Sequence, residues 1–338
     1  MGEFFQIALP FWQRFLESTN ESFNLYAPVK HDHFIDFELI THKEQIPDII
    51  YNHPRPVTPL KVFFLPVKEN VVKEIKGQKV NIILGAPSCD LSALGILDEF
   101  YLNEPYVDPY YKARRESTLL IGMDCFDTLE NCHCTTYEIN PYPENYADLS
   151  LASIGEYIYL EVRSEKGTKF LEEQKGKIPE LHQASRELIN DVRKKRKEIQ
   201  QRLDQKNKKL PGYAETGDLI SSAEDDIWNK YSRTCVACGG CATICPTCSC
   251  FLLVDRPGFE KIRQMDACQY PGFVRVAGGE DSFRNRAKRF RNRYMCKYVY
   301  KPAKFDSIAC TGCGRCIDTC IGRISKNELF VELAESET

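Results

Sequence analysis

The stretch Cys235-Val236-Ala237-Cys238-Gly239-Gly240-Cys241-Ala242-Thr243-Ile244-Cys245-Pro246 decides how this chain is read. Three cysteines two residues apart, a fourth after three more and a proline behind it make the bacterial ferredoxin spacing for a [4Fe–4S] cluster. The spacing returns at Cys310, Cys313, Cys316 and Cys320, with Ile321 where the proline would stand. In two-cluster ferredoxins the fourth cysteine of each run ligates the other cluster. The two runs therefore predict one set of Cys235, Cys238, Cys241 and Cys320, and a second of Cys310, Cys313, Cys316 and Cys245. Structural zinc sites also use paired CxxC, but they have no need of a third and a fourth cysteine at these intervals.

Working outward, 338 residues allow two domains, and 43% hydrophobic content with 11% aromatic suits packed cores. No apolar run reaches the roughly 18 residues of a membrane helix. Glu3, Arg14 and Glu17 interrupt the region where a secretory signal would be apolar, so a cytoplasmic location is expected. In a reducing compartment sixteen cysteines point to metal ligation rather than disulfides, and clusters of this type suggest an anaerobic setting. A net charge of −3 argues against nucleic acid as a general partner.

The first half reads as α/β with a mixed sheet. Val80–Leu84, closed by Gly85, and Thr118–Ile121, closed by Gly122, are apolar runs of the kind found in buried parallel strands. Ser88 is placed as the N-cap of a helix over Leu91–Tyr101. Lys61–Leu65, entered through Pro54, Pro56 and Pro59, is expected to be a strand, and Glu156–Arg163 a half-exposed one. From Ser185 to Asn207 a charged helix is predicted, with Leu188, Val192, Ile199 and Leu203 on one stripe and solvated basic residues elsewhere. It is expected to act as a connector between halves. The division is then an α/β domain over 1–180, a charged helical connector over 181–227 and a mainly α-helical, ferredoxin-like dicluster domain over 228–338. The 64 residues between Cys245 and Cys310 offer no convincing strand pair.

Eight cysteines lie outside the two runs. Cys89 and Cys125 each follow an apolar strand, so parallel strands would deliver both thiols to the carboxyl edge of the sheet, where open α/β folds bind ligands. Cys132 and Cys134 could complete a third four-cysteine site, more simply a [4Fe–4S] cluster than zinc. Cys248, Cys250, Cys268 and Cys296 allow a fourth cluster by arithmetic, although buried free cysteines also serve as small hydrophobes. Arg284, Arg286, Lys288, Arg289, Arg291, Arg293 and Lys297 put seven cations and no acid into fourteen residues. Such a segment would raise the potential of a nearby cluster, dock an acidic partner, or simply face solvent. His31-Asp32-His33 reads as surface. No G-x-G-x-x-G and no P-loop is present, so a dinucleotide or flavin is expected on a partner.

LYAPVK at Leu25–Lys30, SCD at Ser88–Asp90, ENCHC at Glu130–Cys134, CVACGGCATICPTCSC at Cys235–Cys250, AGG at Ala277–Gly279 and CTGCGRC at Cys310–Cys316 resemble one known family. It holds the beta subunits of sulfhydrogenases and the iron–sulfur subunit of anaerobic sulfite reductase. YYKARRE at Tyr110–Glu116 and FRNRYMCKY at Phe290–Tyr298 are more similar to the sulfhydrogenase beta branch. The charged segment near Ser185–Asp225, the missing proline after Cys320 and a short tail depart from the pattern. The resemblance implies a subunit that passes electrons between a flavin partner binding NAD(P)H and a catalytic partner of hydrogenase or sulfur/sulfite reductase type. It also places Cys89, Cys125, Cys132 and Cys134 at family cysteine positions. An electron wire with no catalytic site of its own is the expectation. The alternatives are a zinc-stabilised scaffold, or a sulfur-handling enzyme with a reactive Cys248 or Cys250.

Overall fold

The computed structural model describes residues 3–73, 79–178 and 180–336. Among the described residues eleven strands run in chain order: β1 (Phe4–Ala8), β2 (Asn24–Lys30), β3 (Ile35–Leu39), β4 (Lys68–Asn70), β5 (Asn81–Pro87), β6 (Thr118–Met123), β7 (Leu149–Ile154), β8 (Tyr157–Val162), β9 (His182–Gln183), β10 (Phe251–Arg256) and β11 (Glu260–Met265). Eight of them form one sheet in the order β3-β2-β5-β6-β7-β8-β1-β9. Pairing is parallel from β2 through β7 and antiparallel at both flanks, so the sheet is mixed.

Side chains alternate across a strand, and here the alternation divides two cores. Ile82, Leu84, Leu119 and Ile121 face the helices Leu9–Ser22 and Glu165–Gln174, which supply Trp12, Phe15, Leu16 and Phe170. Ile83 and Leu120 face the helix Ser88–Tyr101 through Leu91, Leu94 and Leu97. Burial on both faces explains why β5 and β6 read as unbroken apolar runs.

Several local expectations change. Lys61–Leu65 is no strand: Leu60–Phe63 makes one tight 3-10 turn that buries Leu60 and Phe64. Its apolar residues fill a core from a turn rather than from a pleat. Pro87, not Ser88, precedes the helix, and Ser88 is its first residue. The strand at Tyr157–Val162 is covered on both sides, because Tyr159 lies under Leu188 and Val192 of the helix Arg186–Asn207. Ser185 caps that helix by accepting from the Leu188 N–H at 3.2 Å, and its four apolar stripe residues are buried. Its Arg196 binds Asp124 and Glu161, so this charged segment is bolted to the sheet as well as linking the halves.

The dicluster half holds short helices and one hairpin. β10 and β11 pair antiparallel within the stretch expected to lack strands, and β11 pairs in turn with β4 of the first half. The hairpin escapes a reading by pattern because its outer strand is exposed along Leu252–Arg256 and shows no buried alternation. A mainly helical description of this half is thus too simple.

Candidate metal centres

Both cysteine runs adopt the same backbone. Ala237 and Gly239 have φ of 54° and 72°, and Gly312 and Gly314, at the equivalent positions, 65° and 77°. Left-handed residues at these two places coil each loop so that its N–H groups converge, as in anion-binding nests. One helical turn follows in each case, Gly240–Thr243 and Arg315–Asp318, and the two turns pack on each other.

Cys235, Cys238 and Cys241 line one cavity together with Cys316 and Cys320 of the second run. Phe290, Tyr294, Ile317 and Ile324 give the cavity apolar walls, and Arg293 and Lys326 reach it. Cys245 turns away from this cavity and is buried beside Cys310 and Cys313. The fourth cysteine of each run therefore stands with the opposite run, and Cys316 lies at the boundary between the two groups.

The other cysteines also gather. Pro87 of β5 and Met123 of β6 are register partners, so Cys89 and Cys125, each two residues on, leave the sheet side by side at its carboxyl edge. Cys132 and Cys134 stand next to Cys125, and all four thiols are buried. The helix Arg186–Asn207 closes this group, with Ile199 and Leu203 packed on Cys132 and Cys134 and Asn207 donating to the Cys132 carbonyl at 2.9 Å. Cys313 of the second run is an electrostatic neighbour of both Cys89 and Cys134. Cys250 and Cys268 are free thiols in side-chain hydrogen-bond contact, with Cys248 and Cys296 as electrostatic neighbours of Cys250, and Cys248 is likewise in hydrogen-bond contact with Cys245. Among the described residues no three His, Cys, Asp or Glu side chains form a group that could hold a metal ion. The first cysteine set instead surrounds a space, as a four-iron core requires and a single zinc ion does not.

Charge is the clearest sign of what these cysteines hold. Lys61, Arg293, Lys297 and Lys326 are all buried. No carboxylate among the described residues lies within ion-pair distance of any of them; their hydrogen bonds go to carbonyls, hydroxyls, a histidine and a sulfur. An uncompensated buried charge costs several kcal/mol, and burial lowers the Lys61 pKa accordingly, whereas Arg293, Lys297 and Lys326 are held above their ordinary values by the groups around them. The groups that favour their charged forms are cysteine sulfurs and a tyrosine hydroxyl: Cys241 and Cys316 for Arg293, Cys245 and Cys248 for Lys297, Cys310 and Tyr137 for Lys326. Burial pushes the Cys310 thiol up, but Lys326 and Lys297 outweigh it and hold it below the ordinary thiol value. The sulfur-ligated clusters that cysteine runs of this spacing hold are anionic, and the residues present fit them.

Several other cations at the interior are paired with carboxylates. Arg315 binds Asp90, Arg263 binds Glu69 and Asp108, and Arg196 binds Asp124. Lys61, Lys326, Arg315 and Asp90 carry parts of the site that the spacing of cysteines does not announce. One signal was available: Lys61 is the lone charge in the apolar run through Leu65.

These features fit iron–sulfur clusters, and a family model described as a 4Fe-4S dicluster domain matches residues 234–324, the stretch that holds both cysteine runs. Over 337 residues the chain is 29% identical to sulfhydrogenase 2 subunit beta of Pyrococcus furiosus, spanning 96% of both chains. The similarity to a sulfhydrogenase beta subunit thus extends well beyond the two cysteine runs, along nearly the whole chain. Among the described residues no helix is long and apolar enough to cross a membrane.

Proposed function

We propose that this chain relays single electrons through up to four [4Fe–4S] clusters between two partner subunits, one binding NAD(P)H and flavin and the other a hydrogenase or a sulfur or sulfite reductase. A [4Fe–4S] cluster supplies one-electron storage at a potential tuned by charge, hydrogen bonds and exposure. Cys235, Cys238, Cys241 and Cys320 would hold the first cluster, and Cys245, Cys310, Cys313 and Cys316 the second. Cys89, Cys125, Cys132 and Cys134 would hold a third, and Cys248, Cys250, Cys268 and Cys296 a fourth.

The observation that carries this reading is the contiguity of the four groups. Cys313 adjoins the group at the sheet edge, Cys245 adjoins Cys248, and Cys241 adjoins both Cys316 and Cys268. Cysteines scattered as core hydrophobes would have no reason to form an unbroken series through the molecule. The chain's own part is to hold the cluster ligands, to exclude water with Phe290, Tyr294 and Tyr298, and to balance charge with buried lysine and arginine.

Iron and acid-labile sulfide per chain, with EPR spin counting after dithionite reduction, tests it on anaerobically prepared protein. About sixteen irons are expected, and about eight would restrict the relay to the two ferredoxin runs. A colourless protein with zinc would overturn it.

A further inference from the structure

Three lysines, Lys61 from the first half and Lys297 and Lys301 one turn apart on the same helical stretch, close around the five residues that join the second and fourth cysteine groups, Cys245-Pro246-Thr247-Cys248-Ser249. Lys61 donates to the carbonyls of Ala242 and Cys248, at 3.4 and 3.0 Å. Lys301 donates to the Thr247 carbonyl at 2.9 Å and to the Ser249 hydroxyl at 3.3 Å. Lys297 alone touches sulfur: its Nζ lies 3.0 Å from Cys245 Sγ, 2.7 Å from the Thr247 hydroxyl and 3.1 Å from the Ala309 carbonyl. All three N–H bonds of the ammonium are thereby used, and the side chain is only 3% exposed.

Its placement comes from the helix that bears it. Arg289, Arg293 and Lys297 recur every four residues and are all buried, so the most cationic segment of the chain turns a stripe of charge inward. Arg289 satisfies the carbonyls of Phe283 and Arg284, and Arg293 that of Cys241. At Cys296–Tyr300 the helix widens into a π-turn, an irregularity found often at functional sites, and there both Lys297 and Tyr298 point into the core.

We propose that Lys297 sets the reduction potential of the cluster held through Cys245, raising it by an N–H···S bond given from within this lysine cage. The inference rests on the relay reading, since it needs a cluster at Cys245. Taking up one electron makes a thiolate-ligated cluster more negative by one charge, and a fixed ammonium bonded to a ligand sulfur stabilises the reduced form more than the oxidised one. Burial keeps water from screening that effect, and among the described residues no carboxylate pairs with Lys297 to cancel it. In the group at the sheet edge the balance differs, because the carboxylates Asp90 and Asp124, with their arginine partners, stand by Cys89 and Cys125 there. The lysine cage thus places unpaired positive charge at the Cys245 position.

The test is an EPR-monitored redox titration of the full chain, wild type against Lys297→Met, with iron counted in each sample. The expected result is wild-type iron content with one midpoint, that of the signal perturbed by Cys245→Ser, moved to more negative potential and the others unmoved. Fully loaded Lys297→Met with every midpoint unchanged overturns the inference. If Lys297→Met takes up less iron, Lys61→Met decides, because that side chain bonds only backbone carbonyls, those of Ala242 and Cys248, and no sulfur. A downward shift of the same signal supports the cage, and no shift in the loaded protein overturns it. A purely structural role would lower stability without moving a potential. Wild-type protein lacking clusters would instead sink the relay reading itself.

Discussion

The backbone N–H of His133 donates to the carbonyl oxygen of Gly312 at 2.9 Å, and a Cβ placed on Gly312 would stand 2.5 Å from the His133 carbonyl oxygen. This contact seats the second ferredoxin run on the loop that carries Cys132 and Cys134. Gly314, two residues on, is equally close: a Cβ placed there would stand 2.5 Å from the Asn131 carbonyl oxygen.

Gly312→Ala should therefore cost at least about 2 kcal/mol, combining a left-handed φ of 65° with a clash against backbone that has no room to move. A lowered denaturant midpoint at unchanged m would show it. A change below about 0.5 kcal/mol would mean that the two loops are not in contact.

Arg315 and Asp90 form a wholly buried ion pair between the two halves, with Arg315 also donating to the carbonyls of Pro56 and Val57. Asp90→Ala strands the guanidinium and should destabilise the protein by about 3–5 kcal/mol. Replacing both residues with apolar ones of similar size should recover most of that loss, and equilibrium unfolding of the three proteins gives the comparison.

Iron counting separates the cysteine groups. Cys132→Ser with Cys134→Ser should remove about four irons, Cys250→Ser with Cys268→Ser about four more, and the quadruple variant about eight. Iron content unchanged by either pair would return that group to a structural role.

His53 provides a pH signature away from the cysteines. Burial lowers its pKa below 6.5, opposed by its hydrogen bond from the Arg55 N–H and by Asp127, and reinforced by the charge of Arg55. Below pH 6.5 the unfolded chain takes up a proton on this ring that the folded chain refuses until its lower value is reached. Stability from this group is thus present above pH 6.5 and is lost as pH falls through that window. Unfolding free energies of wild type and His53→Gln measured from pH 7.5 to 5 should converge or cross toward acid; a constant difference would contradict the lowered value.

Much of the α/β half was legible in its sequence, because β5 and β6 carry apolar residues on both faces and the helix Arg186–Asn207 shows its stripe and its Ser185 cap. Lys61–Leu65 misled for a physical reason: five residues are too few for periodicity to separate a strand from a turn when both bury the same side chains. The β10–β11 hairpin stayed hidden because its outer strand exposes Leu252, Leu253 and Val254, so no alternation marks it.

By itself the sequence determined the chemistry of the two ferredoxin runs, since ligand spacing acts within a loop of a few residues and needs no tertiary information. The spacing of the runs already grouped Cys245 with Cys310, and the apolar strands already set Cys89 and Cys125 at one sheet edge; only the tertiary structure decided that Cys250 meets Cys268 and that Cys313 adjoins the sheet-edge group. Those groupings join residues far apart in the chain through sheet register and helix docking. The same holds for Lys61, Lys297 and Lys326: whether a lysine is a solvated surface charge or a buried counter-charge depends on what folds over it, and no local pattern carries that information.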